Sequence, residues 1–132
     1  MAGRTIKILA VDDEPGFLDM LKQYFEARDY EIDISTNVEE GLGFYRDKRH
    51  DVILIDLKLE EFSGDELIKR IKAIDAGAHT IVITAYKDSG QARSRLMSEG
   101  AFAYLEKPVS SLRDLESLVL KAADSEREGS RE

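Results

Sequence analysis

Apolar residues fall along this chain in two textures that take turns. Nearly unbroken, largely β-branched runs cover residues 6–11, 51–55 and 80–84, the middle one opening on Asp51 and ending against Asp56. Runs of that length suit strands buried on both faces of a parallel sheet. Tyr30, Ile32 and Ile34 alternate with acids as a half-exposed strand should, and residues 103–106 form a fifth short run, broken by Lys107-Pro108. Between the runs, apolar residues recur at helical spacing instead. Phe17, Leu18, Leu21, Tyr24 and Phe25 follow Pro15, which suits the first turn of a helix, and Arg28-Asp29 closes that segment. Val38, Leu42 and Tyr45 follow a Thr36-Asn37 cap, weakened by Gly41 and Gly43. Leu67, Ile68, Ile71 and Ile74 mark a clear amphipathic helix over residues 65–74, after a loop over residues 60–64. Leu112, Leu115, Leu118, Val119 and Ala122 mark another, capped by Ser110 or Ser111. Between Tyr86 and Ser98 only Ala92, Leu96 and Met97 are apolar, so a short, poorly anchored helix ending near Gly100 is expected there.

Strand and helix thus alternate five times with short connections. Right-handed crossovers turn such a pattern into an α/β fold, a parallel sheet with helices on both faces. The expected arrangement is the flavodoxin-like, doubly wound (βα)5 form with five parallel strands in the order 2-1-3-4-5. It should occupy residues 1–124, leaving a polar, disordered tail at 125–132. A chain of 132 residues holds one domain, and 42% hydrophobic with 35% charged residues describes a soluble globule. No apolar run nears the roughly 18 residues that span a bilayer. The first run meets Asp12-Asp13-Glu14 without a small-residue cleavage site, which argues against a signal peptide. The absence of cysteine excludes disulfides and thiol chemistry and fits a cytoplasmic location. A formal charge of -8 without a basic stripe argues against nucleic-acid binding by this chain.

Open parallel sheets bind ligands beyond the carboxyl ends of their strands. Asp12 and Asp13 follow the first strand, Asp56 the third, Thr84 ends the fourth and Lys107 follows the fifth. Taken singly, each has a plain reading. The aspartate pair before Pro15 could cap a helix, Asp56 could cap a turn, Thr84 could be a strand residue and Lys107 a solvated charge. Their joint occurrence at four strand ends on one edge is harder to reach by accident. Carboxylates gathered at roughly 4 Å repel by about 4 kcal/mol a pair at an effective dielectric near 20, so a cation must compensate them. Lys107 supplies one charge, and an oxygen-preferring ion such as Mg²⁺ would supply the rest. The arrangement suggests a metal cradle beside a nucleophilic Asp56, with Thr84 and Lys107 placed to hold phosphoryl oxygens.

Over residues 6–123 the chain resembles the receiver domains of two-component response regulators. The resemblance rests on Val11-Asp12-Asp13-Glu14-Pro15, Ile53-Leu54-Ile55-Asp56-Leu57, Ser63-Gly64, Ile83-Thr84-Ala85 and Tyr104-Leu105-Glu106-Lys107-Pro108. It implies that Asp56 accepts a phosphoryl group from a phosphohistidine on a sensor histidine kinase or histidine phosphotransfer protein. It implies Mg²⁺ held by Asp12, Asp13, Asp56 and the backbone carbonyl of Lys58, and phosphoryl oxygens bound by Thr84 and Lys107. Tyr104 would be the aromatic switch that turns inward with Thr84, and the Lys107-Pro108 bond would be cis. The chain would be a regulatory phosphoacceptor, not a turnover enzyme, presenting its last helices and strand to an effector that the sequence does not name. Glu60 stands where the family usually carries proline, so that loop's path should differ. Lys58 and Tyr86 occupy the positions that tune dephosphorylation, and should slow loss of the phosphoryl group.

His50 and His79 fall in separate connections on the opposite edge, without the converging partners of a metal site. The scattered Arg and Lys residues of the helices, Arg93 and Arg95 included, read as solvated surface. A flavin-binding electron carrier of the same topology is the first rival, but Asp12, Asp13 and Glu14 would repel the cofactor phosphate. A Mg²⁺-dependent aspartyl phosphohydrolase is the second, but Lys58 stands where a second acid is needed.

Overall fold

A computed structural model describes residues 5–59 and 63–125. Within them the strands are β1 (Lys7–Val11), β2 (Glu31–Ser35), β3 (Val52–Ile55), β4 (Thr80–Thr84) and β5 (Ala103–Glu106). The alternating helices are α1 (Pro15–Glu26), α2 (Val38–Lys48), α3 (Gly64–Ile74), α4 (Gln91–Ser98) and α5 (Leu112–Asp124). All strand pairs are parallel and the order is β2-β1-β3-β4-β5, as the alternation predicts. The loop expected to change path at Glu60, and the tail beyond Ser125, lie outside the described residues.

The unbroken apolar runs are explained by the two cores they serve. Along β1, Ile8 and Ala10 face one way and Leu9 and Val11 the other; along β3, Val52 and Leu54 oppose Ile53 and Ile55. One face is closed by Leu18, Leu21 and Phe25 of α1 with Leu115, Val119 and Ala122 of α5. The other is closed by Val38, Leu42 and Tyr45 of α2, Leu67 and Ile71 of α3, and Ala92 and Leu96 of α4. Each such large side chain contributes about 1.5–3 kcal/mol by leaving water, which holds the strand ends in fixed register. Gly41, a weak helix former, sits where a Cβ would come within 2.8 Å of Val11 Cγ2, so its smallness lets α2 approach β1.

Boundaries moved slightly. Asp51 lies before β3, its carboxylate accepting the Lys7 N–H at 2.8 Å. Asn37, Ser63 and Ser111 cap α2, α3 and α5 by accepting the N–H groups of Glu40, Glu66 and Asp114. That settles the choice between Ser110 and Ser111.

Helix α4 is the short, thinly anchored element expected. It buries only Ala92 and Leu96, while Met97 is 41% exposed. Polar contacts do the rest. The Asp88 carboxylate accepts the Ala92 N–H, and Arg95 pairs with Asp65 of α3 at 2.8 Å. Arg93 donates to the Tyr104 carbonyl at 3.2 Å. Arg93 and Arg95 are exposed, as expected, and in addition tie α4 to β5 and α3.

His50 is fully buried at the edge away from the acids, its Nε2 2.7 Å from Asp33 Oδ2 and its ring stacked against Tyr45. Burial lowers its pKa against the opposing pull of Asp33. Histidine here belongs to the packing. Among the described residues no helix is long and apolar enough to cross a membrane.

Candidate functional site

Strand pairing continues past the last residue of three strands and carries the site residues with it. The Asp12 N–H donates to the Ser35 carbonyl at 3.1 Å, Asp56 N–H to Val11 at 3.1 Å, and Lys107 N–H to Thr84 at 2.9 Å. Each chemical group is therefore held one step beyond a strand end, buried for Asp12 and Asp56 and half-exposed at the edge strand β5 for Lys107. Asp12, Asp56 and Thr84 are buried, while Asp13 is exposed. The Lys107-Pro108 bond is cis, as the resemblance implies.

Lys107 Nζ is the centre of the arrangement. It lies 2.9 Å from Asp12 Oδ2, 3.1 Å from Asp56 Oδ2 and 2.9 Å from Glu14 Oε1. The ring of Phe17 lies beneath it, 4.7 Å away at the centroid. Burial alone would lower the ammonium's pKa, but the hydrogen bonds to Glu14, Asp12 and Asp56 outweigh it and push it up. Burial pushes the Asp12 carboxyl up to about 6, against the hydrogen bonds from Lys107 and from the Glu14 backbone that favour its charged form.

The remaining oxygens are oriented by backbone. Asp12 Oδ1 accepts the Glu14 N–H at 2.9 Å, and Asp56 Oδ1 accepts the Lys58 N–H at 3.1 Å. One carboxylate oxygen from each of Asp12, Asp13 and Asp56 falls within 4.8 Å of the others. Three hard oxygen donors with a single lysine among them match what Mg²⁺ takes and what softer, nitrogen-seeking metals do not. The donor set fits the ion.

Asp12, Asp13, Asp56 and Lys107 are thus brought together as expected. Thr84 joins the same edge, its hydroxyl accepting the Tyr86 N–H at 3.1 Å. Tyr104 has its ring buried in the core under α4, with the Arg93 guanidinium 5.7 Å from its centroid. Lys58 and Tyr86, separate candidates in the sequence, meet at the rim, with the ammonium 5.7 Å from the ring centroid. Gly64 opens α3 against the backbone of Asp56 and Leu57, its N–H donating to the Leu57 carbonyl at 2.8 Å. Sequence reasoning missed Glu14 and Phe17 as neighbours of Lys107. Their only signal was position, within two residues of Asp12 and Pro15.

Residues 8–120 match the family model described as the response regulator receiver domain. The chain is 33% identical to the polar-differentiation response regulator DivK of Brucella anthropi, over 89% of this chain and 97% of that one. A solved CheY-like receiver domain from Methanospirillum hungatei superposes with a TM-score of 0.83 at 32% identity, covering 92% and 95% of the two chains. The response regulator TrrA of Thermotoga maritima, solved in complex with Mg(2+)-BeF, does so with a TM-score of 0.77 at 32% identity, covering 89% and 99%. The chain also matches transcriptional regulators of which it spans less than half, among them TrcR of Mycobacterium tuberculosis at 44% of its length.

Proposed function

The chain belongs to the response regulator receiver domain family, and on that premise we propose that Asp56 is its phosphoacceptor. The observation that carries the reading is Lys107 Nζ between Asp12 and Asp56, three groups drawn to one point from three strand ends. An Asp56 oxygen forms the new P–O bond as the P–N bond of a phosphohistidine breaks, and the donor's imidazole takes up a proton. The donor is a sensor histidine kinase or a histidine phosphotransfer protein, met in the cytoplasm. Asp12, Asp13, Asp56 and the Lys58 carbonyl would hold Mg²⁺, which when bound offsets the negative charge gathering on the transferring group. Lys107 and the Thr84 hydroxyl donate to phosphoryl oxygens, while the Lys58 N–H keeps one Asp56 oxygen oriented.

Phosphorylation adds about -1.5 to -2 charge at Asp56. To answer it, Thr84 turns its O–H toward the phosphoryl oxygens, and the bond this hydroxyl accepts from the Tyr86 N–H couples that turn to the root of the β4–α4 connection. Tyr104 reports the change, since Arg93 of α4 holds both its ring and its carbonyl. Helix α4, with few apolar contacts to lose, moves most easily, and the face made of α4, β5 and α5 is what a partner reads.

A phosphohydrolase is disfavoured by Lys58 at the place of a second acid, and a flavin carrier by the buried Asp12 and Asp56 where a cofactor phosphate would sit. The chain acts as a switch, with phosphate turnover near one equivalent. In the presence of Mg²⁺ the protein should bind beryllofluoride, and Asp56→Asn should bind none. Equal binding by Asp56→Asn would move the acceptor elsewhere.

The Lys58–Tyr86 contact is what should slow dephosphorylation, the ammonium pairing with the phosphoryl group and the ring screening it from water. Both groups are exposed, where a contact of this kind is worth about 0.5–1 kcal/mol, so Lys58→Ala or Tyr86→Ala should each speed hydrolysis about two- to five-fold. Unchanged hydrolysis rates in both variants would refute the assignment.

A further inference from the structure

Lys107 has no donor to spare in this structure. An ammonium carries three N–H groups, and Asp12, Asp56 and Glu14 take all three at 2.9, 3.1 and 2.9 Å. The Phe17 ring closes another side of Nζ. A phosphoryl oxygen can reach the ammonium only by displacing one of the three carboxylates. Asp56 is the acceptor itself. Asp12 is buried, with its other oxygen fixed by the Glu14 N–H. Glu14 alone is loosely held, with its side chain 61% exposed and free to swing into water.

A second observation points the same way. Glu14 stands at the N-cap of α1, a place where short Ser, Thr, Asp or Asn side chains satisfy the helix's free N–H groups and the longer glutamate is left free to reach elsewhere. It makes no such cap bond and reaches across to Lys107 instead, a residue 93 positions away.

We infer that Glu14 is a placeholder for the phosphoryl group: its carboxylate occupies the Lys107 donor that the phosphoryl oxygen takes over, and so sets how readily the site is filled. Glu14 is a positioning residue, acting through Lys107. The inference rests on the reading of Asp56 as phosphoacceptor.

The test is the equilibrium affinity for beryllofluoride at saturating Mg²⁺, measured by calorimetry on the full chain. Glu14→Gln should bind about three- to five-fold more tightly, the range expected for removing one solvent-exposed ionic competitor. Glu14→Asp keeps the charge but is one methylene too short to hold Nζ, and should behave like Glu14→Gln. Glu106→Gln removes an exposed acid that does not touch Lys107 and should leave the affinity unchanged. The metal-free melting temperature of Glu14→Gln should match the wild type, since a structural role would lower it. If Glu14→Gln binds no more tightly than a wild type that does bind, the placeholder fails and Asp56 stands. If Glu14→Asp matches the wild type while Glu14→Gln tightens, a diffuse field and not the Lys107 contact is responsible, and the inference fails. If the wild type itself does not bind, the reading of Asp56 falls and takes this one with it.

Discussion

Gly64→Ala should destabilise the protein by about 2–3 kcal/mol, the cost of forcing a methyl group into a packed site. A Cβ at this position would collide with the Asp56 carbonyl oxygen and press on Ile55 Cγ2 and the Leu57 Cα, each 2.9 Å away. Two of these three atoms are backbone of the segment that carries the acceptor, so little can give. Relief would have to come from moving α3 off β3 or tilting Asp56 away from Lys107. Beryllofluoride affinity should therefore fall together with stability. Gly43→Ala is the control. It lies inside α2 with nothing within 4 Å of a Cβ, and alanine there should stabilise by about 0.5–1 kcal/mol through helix propensity. Urea midpoints of both variants check the pair. Equal effects would mean that the close approach at Gly64 has no energetic weight.

Lys107→Met should have a larger and more conditional effect. It leaves Asp12 and Asp56 buried side by side without their cation, and breaking such an arrangement by removing one partner costs about 3 kcal/mol or more. The cost depends on pH, and its direction follows from Asp12. Burial pushes the folded carboxyl up to about 6 from its ordinary value of 3.8. The folded metal-free protein therefore binds more protons than the unfolded chain between those values. The associated stability is present below about 3.8 and is lost as pH rises through about 6. With Lys107 gone, one influence that favours the charged carboxylate disappears, so the loss should deepen and shift to higher pH. Acidification from neutral pH toward about 5, or saturating Mg²⁺, should recover much of the deficit in Lys107→Met. Beryllofluoride binding should not recover with Mg²⁺, because the ammonium that receives the phosphoryl oxygen is missing. Thermal melts across pH, with and without Mg²⁺, check all three statements. A variant as stable as the wild type at neutral pH without metal would contradict them.

What the chain revealed by inspection, and what it hid, divide along a physical line. The sheet was readable because a strand buried on both faces needs apolar residues at every position. Val52, Ile53, Leu54 and Ile55 supply them in turn to the two cores. Asp12, Asp56 and Lys107 were readable only together: each has a plain use alone, but the topology that gathers them at one edge followed from the alternation. Contacts between side chains from different elements were not readable. Glu14 looked like one more acid before a helix, and its reach to Lys107 depends on how α1 leaves the sheet. His50 looked like a connection residue; its burial depends on Tyr45 and Asp33, neither adjacent in sequence. Arg95 is exposed, as it looked, but its pairing was hidden because its partner Asp65 belongs to another helix. The Lys58 and Tyr86 positions were singled out from the resemblance, but their mutual contact required the structure.

The central claim, that this edge of the sheet makes Asp56 a Mg²⁺-dependent phosphoacceptor, is tested most directly by covalent labelling. The protein is incubated with Mg²⁺ and a small acyl phosphate, reduced with borohydride to trap any aspartyl phosphate, digested and mapped by mass spectrometry. The result expected is one modified residue, Asp56, with modification lost when the metal is chelated. Modification at another residue, or none with Mg²⁺ and donor in excess, would contradict it.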